Sequence, residues 1–376
     1  MRISRRANRV QSSGIRRMFD LGARLKDPID FSIGQPHFPV PQPVKDAAIQ
    51  AIRDDQNRYT VTQGLPELNE AVLEQVERRT GVRCESSCVT SGVAGGLTLG
   101  MLALLDEGDR ILIPDPYFVC YRNLAAMLSL EPVCYDTYPD FRITDERLEA
   151  GMDERVKVLL VNTPSNPTGR TLTVEELKTI AAFAKRHDLV VITDEIYDAF
   201  SYDGPVPSIL SFYDQVLLLS GFGKTYGMPG WRLGYAVGPD EVIERMRTLQ
   251  QFSFVCAPAP LQHAALAALQ VDMTPNVEDY AKKRDFIHDG LSDVLEIVKP
   301  NGAFYAFPRV PGGLSAEAFV EKAVARNLLL VPGKAFSRVD THMRLSFALP
   351  DEKLEKGVAI LRELAAEASA EAGGAA

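Results

Sequence analysis

At 376 residues, with 46% apolar and 24% charged side chains, the chain has room for two or three domains and a large core. A formal charge of −9 argues against general nucleic-acid binding. No apolar run approaches the ~20 residues a membrane helix needs. Five scattered cysteines, Cys84, Cys88, Cys120, Cys134 and Cys256, have no histidine at metal spacing from the Cys84/Cys88 pair. They suit reduced thiols in a cytoplasmic protein with no metal site.

Six arginines, Arg2, Arg5, Arg6, Arg9, Arg16 and Arg17, precede the first acid, Asp20, with serines between them. Such an opening fits either a mitochondrial transit peptide or an N-terminal arm with a short amphipathic helix over 15–25. Residues 29–35 read as an extended piece and PHFPVPQP (36–43) as a proline-stiffened linker. Apolar periodicity predicts helices over 44–53 and 68–80. Strands at 88–90, 110–114, 156–161, 189–193, 216–219 and 235–237 then alternate with helices at 97–105, 118–128 and 173–188. Apolar strands separated by amphipathic helices predict an α/β domain, a mostly parallel sheet flanked by helices on both faces.

From about residue 270 the pattern changes. A helix over 277–295, the alternating EIVKPNGAFYAFP, a helix over 315–327, LLLVPG and MRLSFA (343–348) predict a smaller, antiparallel α+β domain. The low-complexity tail, 365–376, reads as fraying. The expected division is 1–43 as arm and part of the small domain, 44–270 as the large domain, and 271–376 as the small C-terminal domain.

Ligands of parallel sheets gather at the carboxyl ends of the strands, so the polar residues that follow each strand are the candidates. Asn166 follows 156–161, Asp194 and Tyr197 follow 189–193, and Lys224 follows 216–219. The gaps of 28 residues (Asn166 to Asp194) and 30 residues (Asp194 to Lys224) each match one strand–helix–strand unit of ~30. Repetition of that unit returns the chain to one sheet edge and lets the four side chains share a site. In LLLSGFGKTYGMPGWRLGYAVG (217–238), Lys224 lies among small residues, where lost solvation lowers an amine's pKa and leaves it nucleophilic. Arg232, eight positions on, offers a planar fork of donors for a phosphate. GKT at 223–225 does not close a nucleotide P-loop, which needs glycine where Leu218 stands.

Phe118, just beyond the 110–114 strand, is placed to stack on a ring. SGVAG (91–95) opens a helix whose free N–H groups and dipole suit an anion. An amine, a carboxylate, donors to a ring oxygen, an aromatic face and an anion cradle are together what pyridoxal 5'-phosphate (PLP) asks of a protein.

SNPTG (165–169), DEIY (194–197), GKTYGMPGWRLGY (223–235), RYTVTQGLPELNEAV (58–72), NGAFYAFP (301–308) and RLSFA (344–348) resemble, in order, the signature segments of the PLP-dependent class I/II aminotransferases of fold type I. The aspartate/aromatic subgroup is the best likeness. SGIRRMFDLG (13–22) and IGQPHFPVP (33–41) resemble its N-terminal arm and first loop, which favours the arm over a transit peptide. The resemblance implies that Lys224 forms the internal aldimine with PLP and shuttles the proton. It makes Asp194 the partner of the ring nitrogen, Tyr197 and Asn166 the partners of the ring oxygen, and Phe118 the stacking aromatic. Arg232 and the backbone of Val93, Ala94 and Gly95 become the phosphate site, reached also by Tyr59 of the neighbouring subunit of a homodimer. Arg344 becomes the grip on the substrate α-carboxylate, with Gly34 allowing close backbone approach.

Gly223 stands where relatives often carry a phosphate-binding serine, and Ser220 is the candidate substitute. His37, Pro229 and Ala94 are further departures, and Ala94 bears on dicarboxylate preference. The implied reaction moves an α-amino group between an L-amino acid, with aspartate or aromatic donors in view, and a 2-oxo acid such as 2-oxoglutarate. The same fold and lysine also serve PLP-dependent carbon–sulfur β-lyases. More remotely, they serve non-catalytic PLP sensors.

Overall fold

The computed structural model describes residues 2–10 and 14–373. Ser13 of the arm motif and tail residues 374–376 lie outside the described residues. Seven strands form the main sheet, in the order Ser86–Thr90, Gly234–Gly238, Val216–Gly221, Val190–Asp194, Val156–Asn162, Arg110–Asp115 and Glu131–Asp136. Gly234–Gly238 runs antiparallel to both neighbours. The remaining pairs are parallel.

Burial on both faces explains the apolar strands. Leu217 and Leu219 pack on one face with Leu97, Met101, Ile243 and Met246, while Leu218 faces the opposite side with Val44, Leu68, Val72 and Ala264. The helix expected from residue 97 starts earlier, as Gly92–Leu104. Its glycines lower helix propensity but permit close packing: a Cβ on Gly100 would lie 2.6 Å from a Leu217 methyl. Helix ends follow local chemistry. Thr173 and Glu176 form a capping box at Val174–Arg186, and Gly81 ends Pro66–Thr80 in the left-handed region.

The second part contains an antiparallel sheet of Val331–Pro332, Met343–Ser346 and Tyr305–Ala306. One pairing corrects the antiparallel expectation: Ile29–Asp30 runs parallel to Leu328–Leu329. The N-terminal segment thereby joins this part, with Phe31 wholly buried among Phe304, Phe319 and Leu345. The tail was also misjudged, because Asp351–Gly373 is one helix. Alanine is the best helix former, and Leu354, Val358, Leu361, Ala365 and Ala368 recur at helical spacing and are buried. Ion pairs from Lys322 to Glu371 and from Arg326 to Glu363 and Glu367 tie its outer face down. No helix among the described residues is long and apolar enough to cross a membrane.

Because Leu217 is fully buried in a central strand, Leu217→Ala should cost about 2–5 kcal/mol. The measurement is the shift in urea midpoint, and a loss below about 1 kcal/mol would contradict the packing described.

Candidate active site

Strand register fixes the floor of the site. Asn162 and Asp194 are the last residues of adjacent parallel strands and stand side by side, with Leu219 of the next strand opposite Asp194. Beyond that third strand, the short Phe222–Thr225 helix presents Lys224. These strand ends open into a cavity of about 440 Å³ whose lining includes Asn166, Asp194, Tyr197, Lys224, Arg232 and Arg344. That volume suits a small-molecule site.

Asp194 is 3% exposed. The Tyr121 hydroxyl donates to its Oδ2 at 2.8 Å, and the Ile196 N–H donates to Oδ1 at 3.2 Å. Burial pushes the carboxyl up to about 6, offset in part by the Tyr121 and backbone hydrogen bonds. On the other side, Lys224 Nζ donates to the Gly34 carbonyl and reaches within 5.8 Å of the Tyr197 ring centroid. Burial, reinforced by Arg344 and Arg232, lowers the amine to about 8. A neutral, nucleophilic fraction is therefore present near neutral pH.

Arg344 is 1% exposed. Nη2 donates to the Ser32 carbonyl at 2.6 Å and Nη1 to Asn166 Oδ1 at 3.1 Å. The guanidinium lies 4.6 Å and 4.8 Å from the ring centroids of Tyr305 and Phe336. Nε is buried without a partner. A fully buried arginine held by neutral acceptors, with a donor unused, is a receptor for a small anion. Gly34 sits beside it: a Cβ there would stand 3.4 Å from the Tyr305 hydroxyl and 4.0 Å from Arg344 Nη2. Asn166 is fixed by its own N–H to Asn162 Oδ1 at 2.8 Å. Tyr197 shares a 2.9 Å hydroxyl–hydroxyl hydrogen bond with Tyr305.

The opposite end is an anion cradle. Gly92, Val93 and Ala94 line the cavity, and Arg232 closes it. Arg232 donates to the Ser91 and Pro229 carbonyls at 3.3 Å and 3.1 Å. Gly92 has φ +67°, and a Cβ on it would come within 2.7 Å of Arg232 Nη2, so a glycine is required there. The expected Val93–Ala94–Gly95 run shifts by one. Gly95 is the fourth residue of the Gly92–Leu104 helix, and its N–H is the first that the helix ladder itself uses.

Ser220 requires a second correction. Its hydroxyl is buried and donates to the Glu195 carbonyl at 3.1 Å, away from the cavity. No side chain replaces serine at Gly223, whose Cβ would meet Pro229 Cα at 3.1 Å; these two departures are neighbours in space. Phe118 lines the cavity at the N-cap of Val119–Met127, edge-on to Tyr121 at 5.7 Å. Tyr59 is 83% exposed and lies outside its own chain's cavity. Tyr121, Asn162 and Tyr305 were not singled out from sequence.

Residues 26–361 match the family model described as Aminotransferase class I and II. The probable aspartate aminotransferase of Methanocaldococcus jannaschii is 34% identical, over 96% of this chain and 99% of its own length. Aromatic-amino-acid aminotransferase 2 of Thermococcus litoralis is 33% identical, over 95% and 97%. The solved structure of Thermus thermophilus aspartate aminotransferase with maleate aligns at TM-score 0.92 and 31% identity, covering 97% of this chain and 100% of that one. The chain belongs to the class I and II aminotransferases.

These aminotransferases use PLP, and the cavity of this one fits it. A buried carboxylate with a raised pKa calls for a cationic neighbour, the Gly92 cradle leaves room for a phosphate, and the unused Arg344 donor awaits a carboxylate.

A pH test follows from Asp194. Its folded-state pKa of about 6 lies above the ordinary 3.8, so the cofactor-free fold loses stability as pH rises from 3.8 to about 6, where the unfolded carboxyl ionises and the folded one does not, and carries the full penalty above that. Asp194→Asn should therefore stabilise the cofactor-free aminotransferase by up to about 3 kcal/mol at pH 7.5 and by only about 0.5 kcal/mol near pH 4. Urea midpoints at the two pH values check this; a difference that does not grow with pH would contradict it.

Proposed function

We propose that this aminotransferase moves the α-amino group between an L-amino acid, aspartate, aromatic or similar, and a 2-oxo acid, with 2-oxoglutarate the first acceptor to test. The carrying observation is one cavity lined by a softened amine, Lys224, and a buried arginine, Arg344, that has no acidic hydrogen-bond partner among the described residues. PLP, when bound, supplies an aldehyde that condenses with amines and an electron-poor ring that makes an α-proton acidic. Every remaining task falls to the chain.

Arg344 grips the substrate α-carboxylate, with Nε and the fork as donors, and Gly34 lets the backbone come close. Lys224 Nζ would hold the cofactor and, once freed, its softened amine would serve as the base and acid that moves the α-proton. Asp194, steadied by Tyr121, would partner the ring nitrogen and favour its protonated form. Asn166 and Tyr197 would partner the ring oxygen, and Phe118 would supply the stacking face. Gly92, Val93, Ala94 and Arg232 hold the phosphate.

Lys224 belongs to the 44–270 large domain of this reading, and Arg344 to the small domain built from 1–43 and 271–376. The site then lies between the two. A homodimer completes it, with Tyr59 reaching the neighbour's phosphate site. In support, Tyr59, Val61, Phe252, Phe254 and Val255 are exposed apolar side chains, and Phe254 approaches the Gly95 position of the cradle helix. Five free cysteines accord with a cytoplasmic setting.

Lys224→Ala should abolish transamination and the visible absorption of covalently attached cofactor; wild-type turnover would refute the assignment. Arg344→Lys loses a bidentate, charge-assisted pair, on the order of 1.5–3 kcal/mol. The KM for amino donors should then rise ten-fold or more, and an unchanged KM across donors would count against this role.

A further inference from the structure

Reading Asp194 as the partner of a ring nitrogen makes its orientation decisive, and the inference below rests on that reading. Residues 194–198 make the turn that follows the strand Val190–Asp194. Asp194, Ile196 and Tyr197 line the cavity. Glu195 and Asp198 point the other way, and both carboxylates meet Arg79, in the last turn of the helix Pro66–Thr80. One short turn therefore presents a working face to the cavity and an anchoring face to a helix 116 positions back in the chain.

Glu195 is wholly buried. Its Oε2 accepts from Arg79 Nη2 at 2.5 Å, and its Oε1 accepts from the Ser208 hydroxyl at 2.7 Å and the Thr193 hydroxyl at 3.0 Å. The backbone is engaged as well. Its N–H donates to the Leu219 carbonyl at 2.8 Å, and its carbonyl accepts from the Ser220 hydroxyl at 3.1 Å. Leu219 and Ser220 belong to the strand that leads to Lys224. Glu195 thus ties together the end of the Asp194 strand, the strand of the reacting amine and the helix of Arg79. Asp198 lies 3.6 Å from Arg79 Nε; burial pushes its carboxyl up, and Arg79 offsets part of that rise. Every one of these contacts is made within one chain, where the Arg79 side chain is only 16% exposed.

Stability alone accounts poorly for this arrangement. A buried ion pair must offset the desolvation of both charges, and Arg79 Nη1 is buried without a partner, a further cost. A carboxylate fixed by three donors has, however, one orientation. The residue before it inherits that constraint through a single peptide unit.

We infer that Arg79 is a positioning residue for the reaction: acting through Glu195 and Asp198, it holds the 194–198 turn so that Asp194 and Tyr197 face the cofactor opposite Lys224. Without it, two neighbouring buried carboxylates lose the cation that now neutralises them. One of them then protonates or rotates outward, and the turn is freed.

The test compares PLP-loaded Arg79→Gln and Arg79→Lys with the wild type in half-reactions, using the better of aspartate and phenylalanine as donor. Rates are expressed per bound cofactor, so that an unfolded fraction does not count. For Arg79→Gln the maximal rate should fall about ten-fold or more, toward the roughly 100-fold that a 1 Å misplacement can cost. The donor concentration at half-maximal rate should change far less, because Ser32 and Asn166 still set Arg344. The visible circular dichroism of the bound cofactor, which arises from the asymmetric setting of its ring, should weaken. Arg79→Lys keeps the cation and loses the fork, and it should recover part of both signals. Should Arg79→Gln fail to fold, Ser208→Ala removes one donor to Glu195 and should lower rate and dichroism in the same pattern, by less. A full maximal rate with unchanged dichroism, whatever the unfolding temperature, overturns the inference and leaves Arg79 a structural pin. A loss confined to donor binding overturns it too. A wild type that takes up no PLP, or is inert to both donors, overturns the transaminase reading instead.

Discussion

Two ionisable groups of opposite sign, the Asp194 carboxylate and the Lys224 amine, face one cavity and are kept from satisfying each other. The carboxylate is engaged by Tyr121 and the amine by the Gly34 carbonyl. Each is consequently held away from its ordinary pKa, the acid upward and the amine downward, with burial the first cause in both. A fold tolerates such a pair only if the structure around it is over-determined. The sheet supplies that rigidity: Asp194 ends a central strand whose Val191 and Ile192 are wholly buried, and Lys224 follows the next strand over. The unfavourable electrostatics become useful when a ligand brings a cationic ring to one group and an aldehyde to the other.

The two ends of the cavity suit anions by different means. At the sheet, a helix N-terminus presents backbone donors, and only glycine at position 92 leaves space for Arg232 beside it. On the other side, Arg344 is carried by an interior strand of a small antiparallel sheet, sandwiched between Tyr305 and Phe336 and left without an acidic partner. Backbone donors suit a group that stays bound. A preorganised guanidinium suits one that arrives and leaves with each turnover.

Much of this was legible in the sequence because connectivity does the positioning. The near-equal spacing of Asn166, Asp194 and Lys224 predicts a repeated strand–helix–strand unit; the first stretch holds one, Val174–Arg186, but between Asp194 and Val216 only the short Ile209–Ser211 turn intervenes, and the three residues still lie at or just beyond adjacent strand ends. Arg344 was legible through the resemblance carried by RLSFA. What escaped depends on contacts across the fold. Tyr121 meets Asp194 from 73 positions away, and Tyr305 meets Tyr197 from 108 away, distances that no local pattern encodes. Ser220 misled because its place near Lys224 in the chain says nothing of its side-chain direction, which the strand pleat turns toward Glu195. The edge strand Glu131–Asp136 was passed over because its half-polar EPVCYD lacks the apolar run of its buried neighbours. The tail's alanines gave two compatible signals, low complexity and high helix propensity, and packing against the small part decided for the helix.

The central claim is that Lys224, facing Asp194 across the cavity, is the amine that carries PLP. The most direct measurement is borohydride reduction of the PLP-loaded protein followed by peptide mass mapping. One reduced cofactor per chain, on the peptide containing Lys224, is the result the account predicts. A cofactor fixed on any other lysine, or protein that takes up none at saturating PLP, would contradict it.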